Sequence, residues 1–110
     1  MRHANELDNR ARRQHLRWLI LYVLQRCTQD VGASETQLAY MLGAAEGLEN
    51  LTKLEMRSAL TYLMERELIH LEHGDHLPHW RAKLTRVGID VAEYTVPCEA
   101  GIARPPKEWS

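Results

Sequence analysis

The period of the apolar positions changes once between Leu51 and Thr85. Met56, Ala59, Leu60 and Leu63 recur at helical spacing and share one face. Thr52 precedes Glu55 by three residues, the spacing of a capping box, and Leu51 and Met56 stand where a hydrophobic staple forms. The pattern predicts a helix that begins after Thr52 and ends near Glu67-Leu68-Ile69. Beyond it, Ile69-His70-Leu71-Glu72-His73 alternates at period two, Gly74-Asp75 is a turn signal, and Trp80 to Leu84 reads as a returning strand. With Asp75-His76 at the centre of the turn, Leu71 faces Trp80 and Ile69 faces Ala82 on the core side. Glu72 then faces His79, and His70 faces Arg81, on the solvent side. This register separates apolar from polar side chains, and a one-residue slip would scramble it.

Upstream, Leu16, Ile20, Val23 and Cys27 make a stripe along a first helix that runs to about Cys27, after a start at Asn5, Asp8 or Asn9 and a frayed Met1–Asn5. Trp18, Leu19 and Leu21 add apolar surface around it, more than a one-sided surface helix carries. Either this helix is sandwiched within its own domain or one side meets a partner. Ser34 to Gln37 is a second capping box, which predicts a short helix with Leu38, Met41 and Leu42 inside. Ala39 is small enough to let the next helix approach, and Gly43 suits a helix end with φ > 0. A loop follows to Leu51. Thr85 can cap a short helix through Val87, Ile89, Val91 and Ala92, despite Gly88. Pro97, Gly101, Pro105 and Pro106 forbid a helix near the end of the sequence and predict an extended tail, which still carries Val96, Ile102 and Trp109.

The 110 residues fit one domain able to bury a core without staples. The expected division is a folded unit over 1–93 and a Pro-containing tail over 94–110. Formal net charge is −1, whereas free DNA-binding domains are usually basic. Cys27 and Cys98 are far apart, in neither a disulfide framework nor a zinc knuckle, as in a reducing cytoplasm. Cys27 belongs to an apolar stripe, and Cys98 has no evident activating neighbour. Trp18 to Leu24, the longest apolar run, is too short to span a bilayer, and no signal peptide begins the sequence, so a cytoplasmic protein is expected. No hydrolase, phosphate-loop, dinucleotide-binding or metalloprotease motif occurs, which argues against an enzyme and against a cofactor.

The helix after Thr52, the strand pair and the turn between them resemble the core of a winged helix-turn-helix, an α+β fold with a three-helix core, a two-stranded wing, a short C-terminal helix and an extended tail. Leu63-Met64-Glu65-Arg66-Glu67-Leu68-Ile69 resembles the end of the third helix in winged-helix repressors of the marR-like and arsR-like kind. Leu84-Thr85-Arg86-Val87-Gly88 is similar to the segment that follows their wing, and Pro97-Cys98-Glu99-Ala100-Gly101-Ile102-Ala103-Arg104-Pro105 to the ends of small winged-helix proteins of Mu-like prophages. The resemblance implies duplex DNA binding, commonly as a dimer, in transcription regulation. Here the dimer contact would come from the first helix and the tail.

On that reading the outward face of the helix, Lys53, Arg57, Ser58 and Thr61, would enter the major groove. Arg57 would fork onto a guanine edge, and Ser58 or Thr61 would touch phosphate or base. His79, Arg81 and Lys83 of the wing would meet backbone. Against it, three bases (Lys53, Arg57, Arg66) face three acids (Glu55, Glu65, Glu67), and binding rests chiefly on phosphate neutralisation. The competing reading is an ordinary solvated face, or a winged-helix protein-interaction module in a phage regulatory or assembly complex. His70, His73, His76 and His79 recur every third residue, but on a hairpin that spacing alternates faces, so no metal site is assigned. Arg10, Arg12, Arg13 and Arg17 make the first helix basic; they either reach a flanking phosphate or lie in solvent with their stems over apolar surface. No small-molecule ligand or membrane is implied.

Overall fold

Two capping boxes set the frame. Ser34 Oγ accepts from the Gln37 amide while the Gln37 side chain accepts from the Ser34 amide, and Thr52 and Glu55 make the same exchange. Each box satisfies two amides that a helix start would otherwise leave open. The computed structural model describes residues 2–27 and 30–107, with side chains from residue 9 onward. The chain is an α+β fold in the order α1 (Arg2–Arg26), β1 (Ala33–Ser34), α2 (Glu35–Leu42), α3 (Lys53–Glu65), β2 (Ile69–Glu72), β3 (Arg81–Leu84) and α4 (Arg86–Ala92).

The three strands form one antiparallel sheet ordered β1-β3-β2. The expected ribbon had two. Ala33-Ser34 is too short to show alternation, so nothing in its composition marks it as a strand. The hairpin register also differs from expectation by two residues: Leu71 faces Ala82 rather than Trp80, Ile69 faces Leu84, His70 faces Lys83 and Glu72 faces Arg81. An even offset preserves the faces, so Ile69, Ala82 and Leu84 are still buried together. The turn is centred on Asp75-His76, with the Leu77 amide donating to the Gly74 carbonyl. The backbone of Trp80 is engaged elsewhere. Its carbonyl accepts from the Glu35 amide (2.7 Å) and its amide donates to the Glu35 carboxylate (2.9 Å). The start of α2 thus removes Trp80 from the ladder with β2.

The core gathers Leu16, Ile20, Leu21 and Leu24 of α1 with Leu38, Leu48, Met56, Leu60 and Leu63. The apolar excess of α1 is used inside the chain: the helix packs against α2, α3, α4 and β3, and Leu19, Val23 and Cys27 lie against the same core. The excess therefore gives no reason to invoke a dimer contact there. The helix is already formed at Arg2, so Asn5, Asp8 and Asn9 lie within it and do not cap it, and Arg2–Asn5 are helical. Met1 falls outside the described residues. Met41, expected inside, is exposed. Gly43 keeps a right-handed φ of −64°, and Ala39 is exposed rather than covered by the next helix.

The helix-to-strand corner explains the Leu84–Gly88 string. α3 ends with Glu67 at φ 61°, the Leu68 amide donating to the Leu63 carbonyl and the Glu67 amide to that of Met64. This is a Schellman closure with glutamate in the left-handed position. The Thr85 hydroxyl donates to the Glu67 carbonyl and accepts from the Gly88 amide, and the Thr85 amide donates to the Leu68 carbonyl. A Cβ on Gly88 would stand 2.0 Å from the Leu68 oxygen. The glycine that looked like a weakness in α4 is what lets that helix reach the end of α3.

The tail folds back over its own chain. Ile102 is buried, the Ala103 amide donates to the Gln14 carbonyl, and Arg17 Nη1 donates to the Gly101 carbonyl. Arg104 joins the tail to α4 through the Val91 and Val96 carbonyls. Trp109 lies outside the described residues. No described helix is long and apolar enough to cross a membrane.

Candidate nucleic-acid interface

The first turns of α3 present a row of solvent-facing side chains. Lys53, Leu54 and Ser58 are exposed, Leu54 to 76%. Thr61, one turn further on, is half-buried and its hydroxyl donates to the Arg57 carbonyl (2.9 Å). On one side of this row, a depression of about 230 Å³ is lined by Thr36 and Ala39 of α2, Thr52 and Lys53, and His79 from the loop before β3. Thr36 Oγ1 and His79 Nδ1 are 3.1 Å apart, which ties that loop to the start of α2.

Arg57 sits in this row but is held. Its Nε and Nη2 reach the two oxygens of Glu35 at 2.9 and 2.6 Å, and its guanidinium lies 4.5 Å from the Trp80 ring centroid. Among the described residues, Glu35 is the one buried carboxylate, 4% exposed. The hydrogen bonds from Arg57 hold its carboxyl below the usual range, against burial and with help from the Trp80 amide. Two of the donors that a guanine edge would take are thus engaged by Glu35.

Of the three acids expected to spoil this face, Glu55 is engaged, while Glu65 and Glu67 are exposed. Glu55 takes hydrogen bonds from Arg12 Nε (2.6 Å) and Nη2 (3.2 Å), which keep its carboxyl below the ordinary value. Glu55 is the one acid over residues 53–64. Charge counted along the helix alone missed this, because Arg12 comes from the first helix and Glu35 from the second.

Arg81 and Lys83 lie elsewhere. On β3 they alternate with the buried Ala82 and Leu84, so they leave the sheet on its outer side. There they line a depression with Asp30, Val31, His70 and Glu72, and Arg81 donates to the Val31 carbonyl (2.9 Å). The structure therefore divides the seven expected contacts into two sets: Lys53, Arg57, Ser58, Thr61 and His79 beside α3, and Arg81 and Lys83 on the outside of the sheet. Thr36 and Leu54 join the first set without having been singled out by sequence, and Tyr40 of α2 is highly exposed. Their exposure depends on how α2 and α3 pack, and neither helix shows it alone.

Comparison with family models, with curated proteins and with solved structures finds no match for this chain.

Among the described residues, no group of three or more His, Cys, Asp or Glu side chains is placed to hold a metal ion. His79 turns to Thr36, His73 meets Trp80 edge-on at 5.4 Å, and the His76 ring approaches Gly74. The Cys98 thiol is pushed up by burial, which makes it a poorer nucleophile.

Proposed function

We propose that the chain is a winged-helix protein that binds duplex DNA, with α3 in the major groove and the loop of residues 73–80 beside it as the wing. The element order and the capped α2–α3 pair support the fold assignment. The observation that carries the function is the charge state of the α3 face. Its one carboxylate before Glu65 is neutralised by Arg12, and the neighbouring Glu35 by Arg57. Lys53 is left beside His79 and Thr36 at the start of two capped helices, where the helix dipoles favour phosphate. Lys53 contacts backbone, and Ser58 and Thr61 approach base edges.

A titration of a labelled random-sequence duplex at rising salt tests this. Wild type binds at low salt, with log affinity falling linearly against log salt, and Lys53→Ala lowers the slope by about 0.9. Absence of binding at low salt overturns the reading. Leu54 and Tyr40, 76% and 87% exposed, favour a second one: a protein-interaction module whose α2–α3 surface takes an apolar anchor from a partner.

A further inference from the structure

We propose that Arg10 and Arg13 of α1 form a second phosphate clamp, gripping the DNA strand on the side of α3 opposite the wing. This rests on the DNA-binding reading above and extends the interface to a helix outside the α2–α3 pair.

Arg10, Arg12, Arg13 and Arg17 of α1 have separate fates. Arg12 is consumed by Glu55 and by the Gly47 and Glu49 carbonyls. Arg17 donates to Gly101 and stacks on the Tyr62 ring at 3.5 Å. Arg10, Arg13 and Arg17 are spaced three and four apart, so they stand in one row along the helix. Arg10 and Arg13 are exposed, and among the described residues neither makes an ion pair.

Arg13 and Arg17 of that row border the reading helix, and Arg10 continues the row one turn beyond them. A groove of about 200 Å³ runs between α1 and α3, with Arg13 and Arg17 on one wall, Leu54, Ser58 and the Arg12-paired Glu55 on the other, and Leu16 and Ala59 as its floor. A neighbouring depression spans the exposed side of α3 from Arg17 to Trp80. The outer row of α3 is therefore flanked by α1 on one side and by the loop before β3 on the other. A helix seated in a major groove about 12 Å wide has a sugar–phosphate strand on each side. The wing side meets one strand through Lys53, Thr36 and His79. The α1 side meets the other: guanidinium groups take phosphate oxygens, and the apolar floor accommodates sugar carbons.

The local electrostatics agree. Arg17 is pushed below the ordinary arginine value by burial, with the charge of Arg13 adding to the effect, and its Nε is buried without a hydrogen-bond partner. Two mutually repelling guanidinium groups lie where a phosphate would relieve them.

The test is the salt dependence of binding to the same labelled duplex, on the full chain. Each lost phosphate contact reduces the log–log slope by about 0.9, so Arg13→Ala lowers it by about that much and the Arg10→Ala/Arg13→Ala pair by nearly twice as much. Arg13→Lys keeps the slope. Arg26→Ala, the same charge change at the far end of α1, leaves it unchanged. An unchanged slope in Arg13→Ala while Lys53→Ala still lowers it overturns the clamp and leaves the DNA-binding reading standing. An equal reduction by Arg26→Ala also overturns the clamp, because net charge alone then explains the effect. Failure of wild type to bind at low salt overturns both.

Discussion

Arg57 Nη2 lies 2.6 Å from Glu35 Oε1, and the same carboxylate oxygen accepts the Trp80 amide at 2.9 Å. Three elements meet at one buried charge: α2 supplies it, α3 neutralises it, and the residue entering β3 is fixed by it. This relationship decides where the loop of residues 73–80 stands against α3. Truncating the arginine leaves a nearly buried carboxylate without its counter-charge, whereas removing the charge as well relieves that penalty. Arg57→Ala is therefore expected to lower the melting temperature, and Glu35→Gln added to it to restore part of the loss. Calorimetry on both single variants and the double variant measures the coupling. Strictly additive losses would mean that the pair contributes nothing as a pair.

The same geometry fixes the response to acid. Glu35 and Glu55 are held below the usual carboxylate range by Arg57 and Arg12 respectively. A carboxylate whose folded value is depressed stabilises the fold above its unfolded value, about 4.3 for glutamate, and loses that contribution as pH falls through the folded value. Stability should be level with pH near neutrality and decline below about pH 4.3, on account of these two groups. In Glu35→Gln the decline should be shallower. Urea midpoints collected across the acid range check the slope, and an unchanged slope in that variant would remove Glu35 as a contributor.

Both capping boxes and the alternation of the hairpin were legible, because each depends on neighbours three or fewer residues apart. What escaped depends on contacts across the chain. β1 is two residues long and exists because β3 presents an open edge to Ala33 and Ser34. The hairpin register follows Glu35, distant in sequence, and not the turn chemistry alone. Arg12 and Glu55 are 43 residues apart, so the pairing of this carboxylate could not be read from the sequence of α3 alone. Arg57 was legible as a residue on the outer row but not as one already engaged. The tail read as extended, yet Ile102 finds a buried place, since α1 and α4 leave apolar surface there.

The Thr85–Gly88 corner predicts two different losses. Thr85→Ala removes the cap to the Gly88 amide and the hydrogen bond to the Glu67 carbonyl, and should cost about 1–2 kcal/mol. Gly88→Ala places a methyl group 2.0 Å from the Leu68 carbonyl oxygen, a backbone atom that cannot swing aside. α4 must then move away from the end of α3, at a cost of about 1–3 kcal/mol, the range for overpacked interiors. Chemical denaturation of both variants measures these values. A neutral Gly88→Ala would show that α4 has room to shift.

Glu67 offers the opposite sign. It occupies a left-handed position, φ 61°, at the residue where such helix ends usually place glycine. Its side chain makes no ion pair among the described residues, while its backbone carries the closure: the amide to Met64 and the carbonyl to Thr85. The left-handed conformation costs a side-chain-bearing residue about 1 kcal/mol, and glycine adopts it freely. Glycine also gives the unfolded chain more freedom, which offsets part of the gain. Glu67→Gly should therefore raise stability by a few tenths to about 1 kcal/mol, with the hairpin register and the DNA titration unchanged. Glu67→Ala, with no such freedom and no side-chain contact to lose, should be close to neutral. If glycine destabilises while alanine does not, the conformational strain assigned to this corner is wrong, and unfolded-state entropy outweighs it.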